Sequence, residues 1–227
     1  MTDARNIHAV VLDMDGLMLD TEGMSYLGWV RTFAEWGLPF GKDRFLGLVG
    51  LNVADARRKM LGWYGPDFPF DAVYARKMIH VDDIIAREGI SQKPGLLEFL
   101  AAVDSLGLSK AVATSTARER AMYKLKKAVL EGRLDAMACG DEISQGKPAP
   151  DIFLLAARLL HLPPEECLAL EDSDAGVMAA QSAGMRVVVI PDVKPPSLEA
   201  RAAAWKVLPD LYEAAEFIRR EMGSTSN

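Results

Sequence analysis

The stretch "AVVLDMDGLMLDT", residues 9–21, decides the fold and raises the first question about function. Its apolar run, residues 10–12, is typical of a buried strand, and Asp13 and Asp15 follow directly. Aspartate is a poor strand residue, and like charges two residues apart repel each other. The pair adds nothing to local structure, so we predict that another group at the end of the strand compensates for it.

Composition limits the classes of protein to consider. Of 227 residues, 50% are hydrophobic and 26% are charged, which is the balance of a soluble globular protein with one large domain or a main domain and a companion. The net charge of −6 argues against a nucleic-acid partner, which needs a basic face, but not against a small anionic ligand. We expect a monomer or a weak homo-oligomer.

Cysteine content and hydropathy bear on the compartment. Cys139 and Cys167 lie among apolar residues, so we expect two reduced core thiols and no disulfide scaffold. The first residues lack the apolar region of a signal peptide, and no run approaches the roughly 20 apolar residues of a membrane span. These features favour a cytoplasmic enzyme or binding protein with no membrane partner.

Five short apolar runs predict strands, at residues 7–12, 109–114, 136–139, 167–170 and 186–190. Most are apolar throughout, which is typical of strands covered on both faces in a parallel sheet. Helical patterns lie between the later runs, at residues 94–107, 149–162 and 174–184. Alternating strands and helices predict an α/β fold with a doubly wound, Rossmann-like parallel sheet.

One region interrupts this alternation. From about residue 19 to 91 there is no convincing strand, and helical patterns cover residues 26–37, 53–65 and 71–89. We predict an α/β core of residues 1–18 and 92–227, with a helical cap domain, residues 19–91, inserted after the first strand. The insertion follows the carboxyl end of a strand, where α/β folds bind ligands.

Polar side chains follow four of the five predicted strands. The carboxyl ends of parallel strands share one edge of a sheet, so these groups can meet in one crevice. Several carboxylates there require a cation, and carboxylate oxygens are ligands that Mg²⁺ prefers. With a lysine and hydroxyl groups nearby, the site could hold a phosphate dianion. The candidate groups are Asp13, Asp15, Thr114, Ser115, Thr116, Lys147, Glu171 and Asp172.

Four segments in order carry a family resemblance: "DMDG", Thr114 at the end of the second strand, "GKPAPDIF" and "LEDSDAG". Together they resemble the four motifs of the haloacid-dehalogenase-like hydrolase superfamily. The sequence is most similar to the β-phosphoglucomutase/phosphoglycolate-phosphatase-like branch, in which a helical cap follows the first motif. The resemblance spans residue 7 to about residue 191.

The resemblance implies a role for each acid. Asp13 would attack phosphorus and form an aspartyl-phosphate. Asp15 would protonate the leaving alkoxide and then activate water. Asp13, the main-chain carbonyl of Asp15 and Asp172 would hold Mg²⁺, and Glu171 would either bind the ion or support its ligands.

The resemblance also implies how the phosphate is held. Lys147 would neutralise charge between Asp13 and the phosphate, and Thr114 would orient the phosphate. In the cap, residues 44–52 look like the loop that faces the site in relatives. The substrate-binding candidates are Gly16, Ser115, Thr116, Arg118, which could bind a distal anion, and Gly50 in the cap loop.

Several of these residues also have purely structural interpretations. Asp13 and Asp15 could form a turn before Gly16, and Ser173 is better explained as a helix N-cap than as a catalytic group. The spacing of Trp29, Phe33 and Trp36 favours the core of the cap over a sugar-stacking platform.

Members of this superfamily catalyse several different reactions, so the residues must indicate which one this chain catalyses. Dehalogenases and phosphonatases lack an acid at the position of Asp15. β-Phosphoglucomutases carry a His and an Arg where this chain has Ser25 and Val53. We therefore predict a Mg²⁺-dependent phosphatase acting on a small phosphorylated metabolite, a sugar or polyol phosphate, with a β-phosphoglucomutase-like mutase as the alternative. A phosphate-accepting or binding protein is the alternative outside enzymes.

Overall fold

The computed structural model describes residues 6–51 and 53–223. The chain divides into two compact units. The first unit is formed by two segments of the chain, one that ends at Leu19 and one that begins at Gln92. The second unit is the segment between them, Asp20–Ser91.

The first unit is built on a six-stranded sheet in which every paired strand is parallel. The strand order is β3-β2-β1-β4-β5-β6. All five predicted strands are confirmed to within two residues, whereas the two-residue β6 was missed because so short a segment has no pattern. The strands are β1 (Ala9–Leu12), β2 (Ser109–Thr114), β3 (Ala136–Cys139), β4 (Cys167–Glu171), β5 (Arg186–Val189) and β6 (Lys206–Val207).

Both faces of this sheet are covered, which explains why the strands are apolar throughout. Val11, Ala113 and Ala169 point to one face and pack in a cluster with helices α7 (Asp151–Leu159), α8 (Asp174–Ser182) and α9 (Leu198–Ala203). Val10 and Val112 alternate with them and are also fully buried. The remaining α-helices in the described part of this unit are α5 (Leu96–Ser105), which packs on β2, α6 (Arg118–Lys127), and α10 (Leu211–Met222), which packs on α5.

The order of the strands creates a switch point between β1 and β4. From β1 the chain adds β2 and β3 on one side, then returns to place β4, β5 and β6 on the other side. Loops leave the carboxyl ends of β1 and β4 in opposite directions, so a crevice opens there in folds of this type. Asp13 follows β1, its backbone N–H donates to Leu170 O at 3.0 Å, and Glu171 ends β4.

In its described residues, the second unit has four helices around an aromatic core. They are α1 (Glu22–Glu35), α2 (Lys42–Leu48), α3 (Val53–Tyr64) and α4 (Phe70–Glu88). Gly28 lets α1 approach α4, because a Cβ there would lie 2.7 Å from a methyl group of Val81. Trp29 and Phe33 belong to the core as predicted, but Trp36 is 41% exposed, because it follows the last residue of α1.

The predicted cap loop, residues 44–52, is shorter than expected. Helix α2 continues to Leu48, so the loop in the described residues is limited to 49–51, and Asn52 lies outside them. Gly50 has a φ of 78°, a backbone conformation that favours glycine.

Two expectations from composition can be checked on the described residues. Cys139 and Cys167 are free and buried, as predicted, and burial raises the pKa of each thiol to about 11. Among residues 6–51 and 53–223, none of the helices has the length and apolar character needed to span a membrane.

Candidate active site

A buried lysine joins the ends of three strands. Lys147 Nζ lies 2.5 Å from Asp13 Oδ1 after β1, 2.5 Å from Glu171 Oε1 at the end of β4, and 3.1 Å from Ala113 O in β2. An ammonium group has three N–H donors, so each has an acceptor here. Asp13 and Lys147 are each 7% exposed and Glu171 is fully buried. The structure therefore brings three of the predicted site residues together at the carboxyl edge of the sheet.

The charges in this cluster do not balance. Burial raises the pKa of the Asp13 carboxyl group to about 7; Lys147 opposes the increase and Glu171 adds to it. Burial alone would lower the pKa of the Lys147 ammonium, but the two carboxylates outweigh that effect and raise it. Lys147 is therefore charged at neutral pH, and this one ammonium group serves two buried carboxyl groups. A second positive charge would stabilise Asp13 as an anion.

Glu171 is fixed from both sides. Its Oε1 accepts from Lys147, and its Oε2 accepts from the backbone N–H of Asp172 (3.1 Å) and from the N–H and hydroxyl of Ser173 (3.2 and 3.0 Å). Ser173 also caps α8 by accepting from Gly176 N at 3.1 Å, as predicted. A Cβ on Gly176 would lie 1.9 Å from Glu171 Oε1, so only glycine leaves room for this carboxylate.

Two further carboxylates converge on Gly16, which has a φ of 91°. A Cβ there would lie 2.3 Å from Asp172 Oδ2 and 3.3 Å from Asp192 Oδ2, so both approach the backbone just after Asp15. Asp192 was missed, although it follows the fifth apolar run as the other acids follow theirs. Its Oδ1 pairs with Lys93 Nζ at 2.6 Å, while its Oδ2 is buried and has no hydrogen-bond partner in the described part of the chain.

The donor set fits the magnesium ion that the resemblance implies. In the described part of the chain, no group of three or more His, Cys, Asp or Glu side chains is spaced to hold a metal by itself. Mg²⁺ needs fewer protein ligands, because it keeps several waters and binds through one or two carboxylates and a substrate phosphate. Asp172 lies against the backbone at Gly16, and beside it the buried Oδ2 of Asp192 has no hydrogen-bond partner among the described residues, so it is an oxygen that a cation could use.

Two residues hold the side chain of Asp15, one from the loop that follows β2 and one from α6. Lys124 Nζ lies 2.6 Å from Asp15 Oδ1, and the Thr116 hydroxyl donates to Asp15 Oδ2 at 2.8 Å. Lys124 was missed by sequence reasoning. The available signal was its position beside Ala121 and Leu125 on the buried face of α6.

The end of β2 is shaped by its own hydroxyl groups. Thr114 is 1% exposed, and its Oγ1 accepts from the backbone N–H of Thr116 at 3.1 Å. Ser115 is exposed, and its carbonyl is so close to Gly140 that a Cβ there would lie 2.2 Å from it. Thr114 therefore fixes the loop, and the hydroxyl of Thr116 is directed at Asp15.

Arg118 is held elsewhere. Its Nε and Nη2 donate to the Glu142 carboxylate at 2.6 and 2.8 Å, and Nη2 also donates to Met137 O at 2.6 Å. Met137 lies in β3, the edge strand of the sheet. These contacts give Arg118 a structural role at that edge, and no contact of the described residues brings it to the cluster around Lys147.

Gly50 lies in the helical unit, beside a cavity of about 140 Å³. The lining combines aromatic and charged side chains, and it includes Ser25 and Val53, the two positions where the resemblance leads us to expect a His and an Arg in a mutase. The wall includes Glu22, Trp29, Phe45, Tyr74 and Lys77.

Comparison with known proteins identifies the class. The family model for haloacid dehalogenase-like hydrolases matches residues 10–190, and the chain belongs to this family. It is 34% identical to Protein CbbY of Rhodobacter capsulatus, over 92% of this chain and 96% of that protein. It is 31% identical to a phosphorylated carbohydrates phosphatase of Thermotoga maritima, over 79% of this chain and 82% of that protein.

A solved structure shows the same similarity in three dimensions. The crystal structure of a CbbY variant from Rhodobacter sphaeroides, in complex with xylulose-(1,5)bisphosphate, superimposes with a TM-score of 0.77 at 28% identity. The match covers 91% of this chain and 96% of that chain. The resemblance inferred from the four motifs is confirmed.

Proposed function

We propose that the protein is a Mg²⁺-dependent phosphatase that hydrolyses a small phosphate monoester through an aspartyl-phosphate on Asp13. The observation that carries this proposal is the bridge from Lys147 to Asp13 and Glu171 at the switch point. It holds a nucleophilic carboxylate and a positive charge together at the ligand-binding edge of the sheet.

In the first step, an oxygen of Asp13 attacks phosphorus, and the bond from phosphorus to the ester oxygen breaks. Asp15 donates a proton to the departing alkoxide. Asp15 then removes a proton from water, which attacks phosphorus, releases inorganic phosphate and restores the Asp13 carboxylate. Lys147 neutralises charge on the phosphoryl oxygens throughout.

Magnesium fits this scheme as a support for Asp13. Asp13, the carbonyl of Asp15 and Asp172 would hold the ion, which would neutralise the carboxylates and polarise the phosphoryl group. Glu171 would support the ligands of the ion rather than bind it, because both of its oxygens already accept hydrogen bonds. One oxygen accepts from Lys147, and the other accepts from Asp172 and Ser173 in the segment after β4.

The helical unit and the relatives both support a proposal for the substrate class. A cavity with aromatic walls and the buried Lys77 suits a polar organic group with an apolar face. One relative is a phosphatase of phosphorylated carbohydrates, and another was crystallised with a sugar bisphosphate. We therefore propose a sugar or polyol phosphate as the substrate and Asp20–Ser91 as the cap that selects it.

The test begins with p-nitrophenyl phosphate, in Mg²⁺ and then with EDTA. We expect turnover that stops on chelation and returns with Mg²⁺. Asp13→Asn should abolish turnover, whereas Glu199→Gln, which removes an exposed carboxylate of the same unit, should retain it. Activity that persists in EDTA or in Asp13→Asn would contradict the proposal.

A panel of phosphorylated sugars and polyols then separates phosphatase from mutase. Release of inorganic phosphate at the rate of substrate loss supports hydrolysis. Conversion of one sugar phosphate into its isomer without phosphate release would support the mutase alternative. Ser25 and Val53 stand where the resemblance places a mutase's His and the Arg that clamps its second phosphate, so we expect hydrolysis.

A further inference from the structure

We propose that Lys124, with Thr116, is a positioning residue that holds the Asp15 carboxylate where it exchanges protons with the leaving group and with water. This inference rests on the proposed function and adds two residues to it. Its basis is a set of contacts from α6 and from the loop after β2 to one side chain.

The contacts fix both oxygens of Asp15. Oδ1 lies 2.6 Å from the Lys124 ammonium and Oδ2 accepts from the Thr116 hydroxyl at 2.8 Å. The two donors also contact each other, with 3.5 Å between Lys124 Nζ and Thr116 Oγ1. A carboxylate bound at both oxygens by groups from different elements has one orientation, and proton transfer depends on that orientation.

The environment of Lys124 separates it from the other lysines of its helix. Lys124 is 8% exposed, whereas Lys126 and Lys127 are exposed. A buried ammonium is unfavourable unless it is paired. The Lys124 side chain is therefore committed to Asp15, while Lys126 offers a control on the same helix.

A structural role alone would be a salt bridge that fastens α6 to the loop after β1. Removing such a bridge would lower the stability of the protein and would lower kcat/KM for every substrate by the same factor. A positioning role has another signature, because protonation matters only where the leaving group is a strong base. p-Nitrophenolate leaves without a proton, whereas the alkoxide of a sugar or polyol needs one.

The experiment compares kcat/KM for p-nitrophenyl phosphate and for an alkyl phosphate that the wild-type protein hydrolyses. kcat/KM reports the steps up to loss of the leaving group. For Lys124→Met we expect about a hundredfold loss with the alkyl phosphate and less than about threefold with p-nitrophenyl phosphate. Lys124→Arg should recover most of the loss, and Lys126→Met should match the wild type with both substrates.

Thr116→Val provides an independent variant should Lys124→Met fail to fold, and it should show the same selective loss. Equal losses with both substrates, or no loss with either, would overturn the positioning role. If the wild-type protein hydrolyses neither phosphate in Mg²⁺, or if Asp13→Asn retains turnover, the proposed function fails and this inference fails with it.

Discussion

Gly176→Ala offers a sharp test of how the candidate site is built. The added Cβ would lie 1.9 Å from both Cδ and Oε1 of Glu171, and real Cβ atoms essentially never approach within 3.0 Å. Glu171 is fully buried and accepts hydrogen bonds at both oxygens, so it cannot move aside without losing some of them.

The magnitude follows from those hydrogen bonds. Disrupting a buried ion pair costs about 3–5 kcal/mol, and replacing glycine by alanine within a helix returns about 0.5–1 kcal/mol. We expect a net loss of about 2–4 kcal/mol in the free energy of unfolding, which corresponds to a decrease in Tm of roughly 5–15 °C for a protein of this size.

Activity should fall as well, because Glu171 positions Lys147 beside Asp13. A displacement of about 1 Å in a catalytic group can lower the rate about a hundredfold. The assays are thermal unfolding, followed by circular dichroism, and kcat/KM for p-nitrophenyl phosphate in Mg²⁺.

Gly62→Ala is the matched control. Gly62 lies within α3, where a Cβ would meet no atom within 4 Å, so this change should stabilise the protein by about 0.5–1 kcal/mol. If Gly176→Ala left both Tm and kcat/KM at their wild-type values, the described packing of Glu171 would be wrong.

Three further outcomes are expected. Lys147→Met should lower kcat by at least about a thousandfold and reduce the free energy of unfolding by about 3–5 kcal/mol, because it leaves the buried Asp13 and Glu171 without their shared cation. Steady-state kinetics and urea unfolding measure the two effects, and near-wild-type turnover would contradict the prediction. Arg118→Met should change kcat/KM by less than about threefold and the free energy of unfolding by about 0–1 kcal/mol, because the salt bridge from Arg118 to Glu142 is partly exposed. A large increase in KM would instead support the predicted role of Arg118 in substrate binding. Burial raises the pKa of Cys139 and of Cys167 to about 11, so both thiols are protonated at pH 8 and iodoacetamide should label them only after unfolding. Mass spectrometry of the native protein after treatment with iodoacetamide measures the labelling, and rapid labelling would contradict the burial of these thiols.

The sheet and the cluster around Lys147 could be predicted from sequence, because both follow from local patterns. Continuous apolar runs identify buried strands, and the polar residues that follow four of these runs identify the shared edge. Asp13, Lys147 and Glu171 were found in this way.

The missed features depend on tertiary context. Lys124 lies with Ala121 and Leu125 on the buried face of α6, but only the packing of that helix shows that its partner is Asp15. Trp36 has helical spacing from Trp29 and Phe33, but α1 ends one residue before it. The commitment of Arg118 to Glu142 joins segments 24 residues apart, and no local pattern reveals it.

The most direct measurement of the central claim is chemical trapping of the intermediate. The protein would be mixed with p-nitrophenyl phosphate and Mg²⁺, quenched with acid and treated with borohydride, which reduces an acyl phosphate to an alcohol. We predict that peptide mass spectrometry finds Asp13, and no other carboxylate, converted to homoserine. An unmodified Asp13 during rapid turnover, or conversion at another carboxylate, would contradict the account.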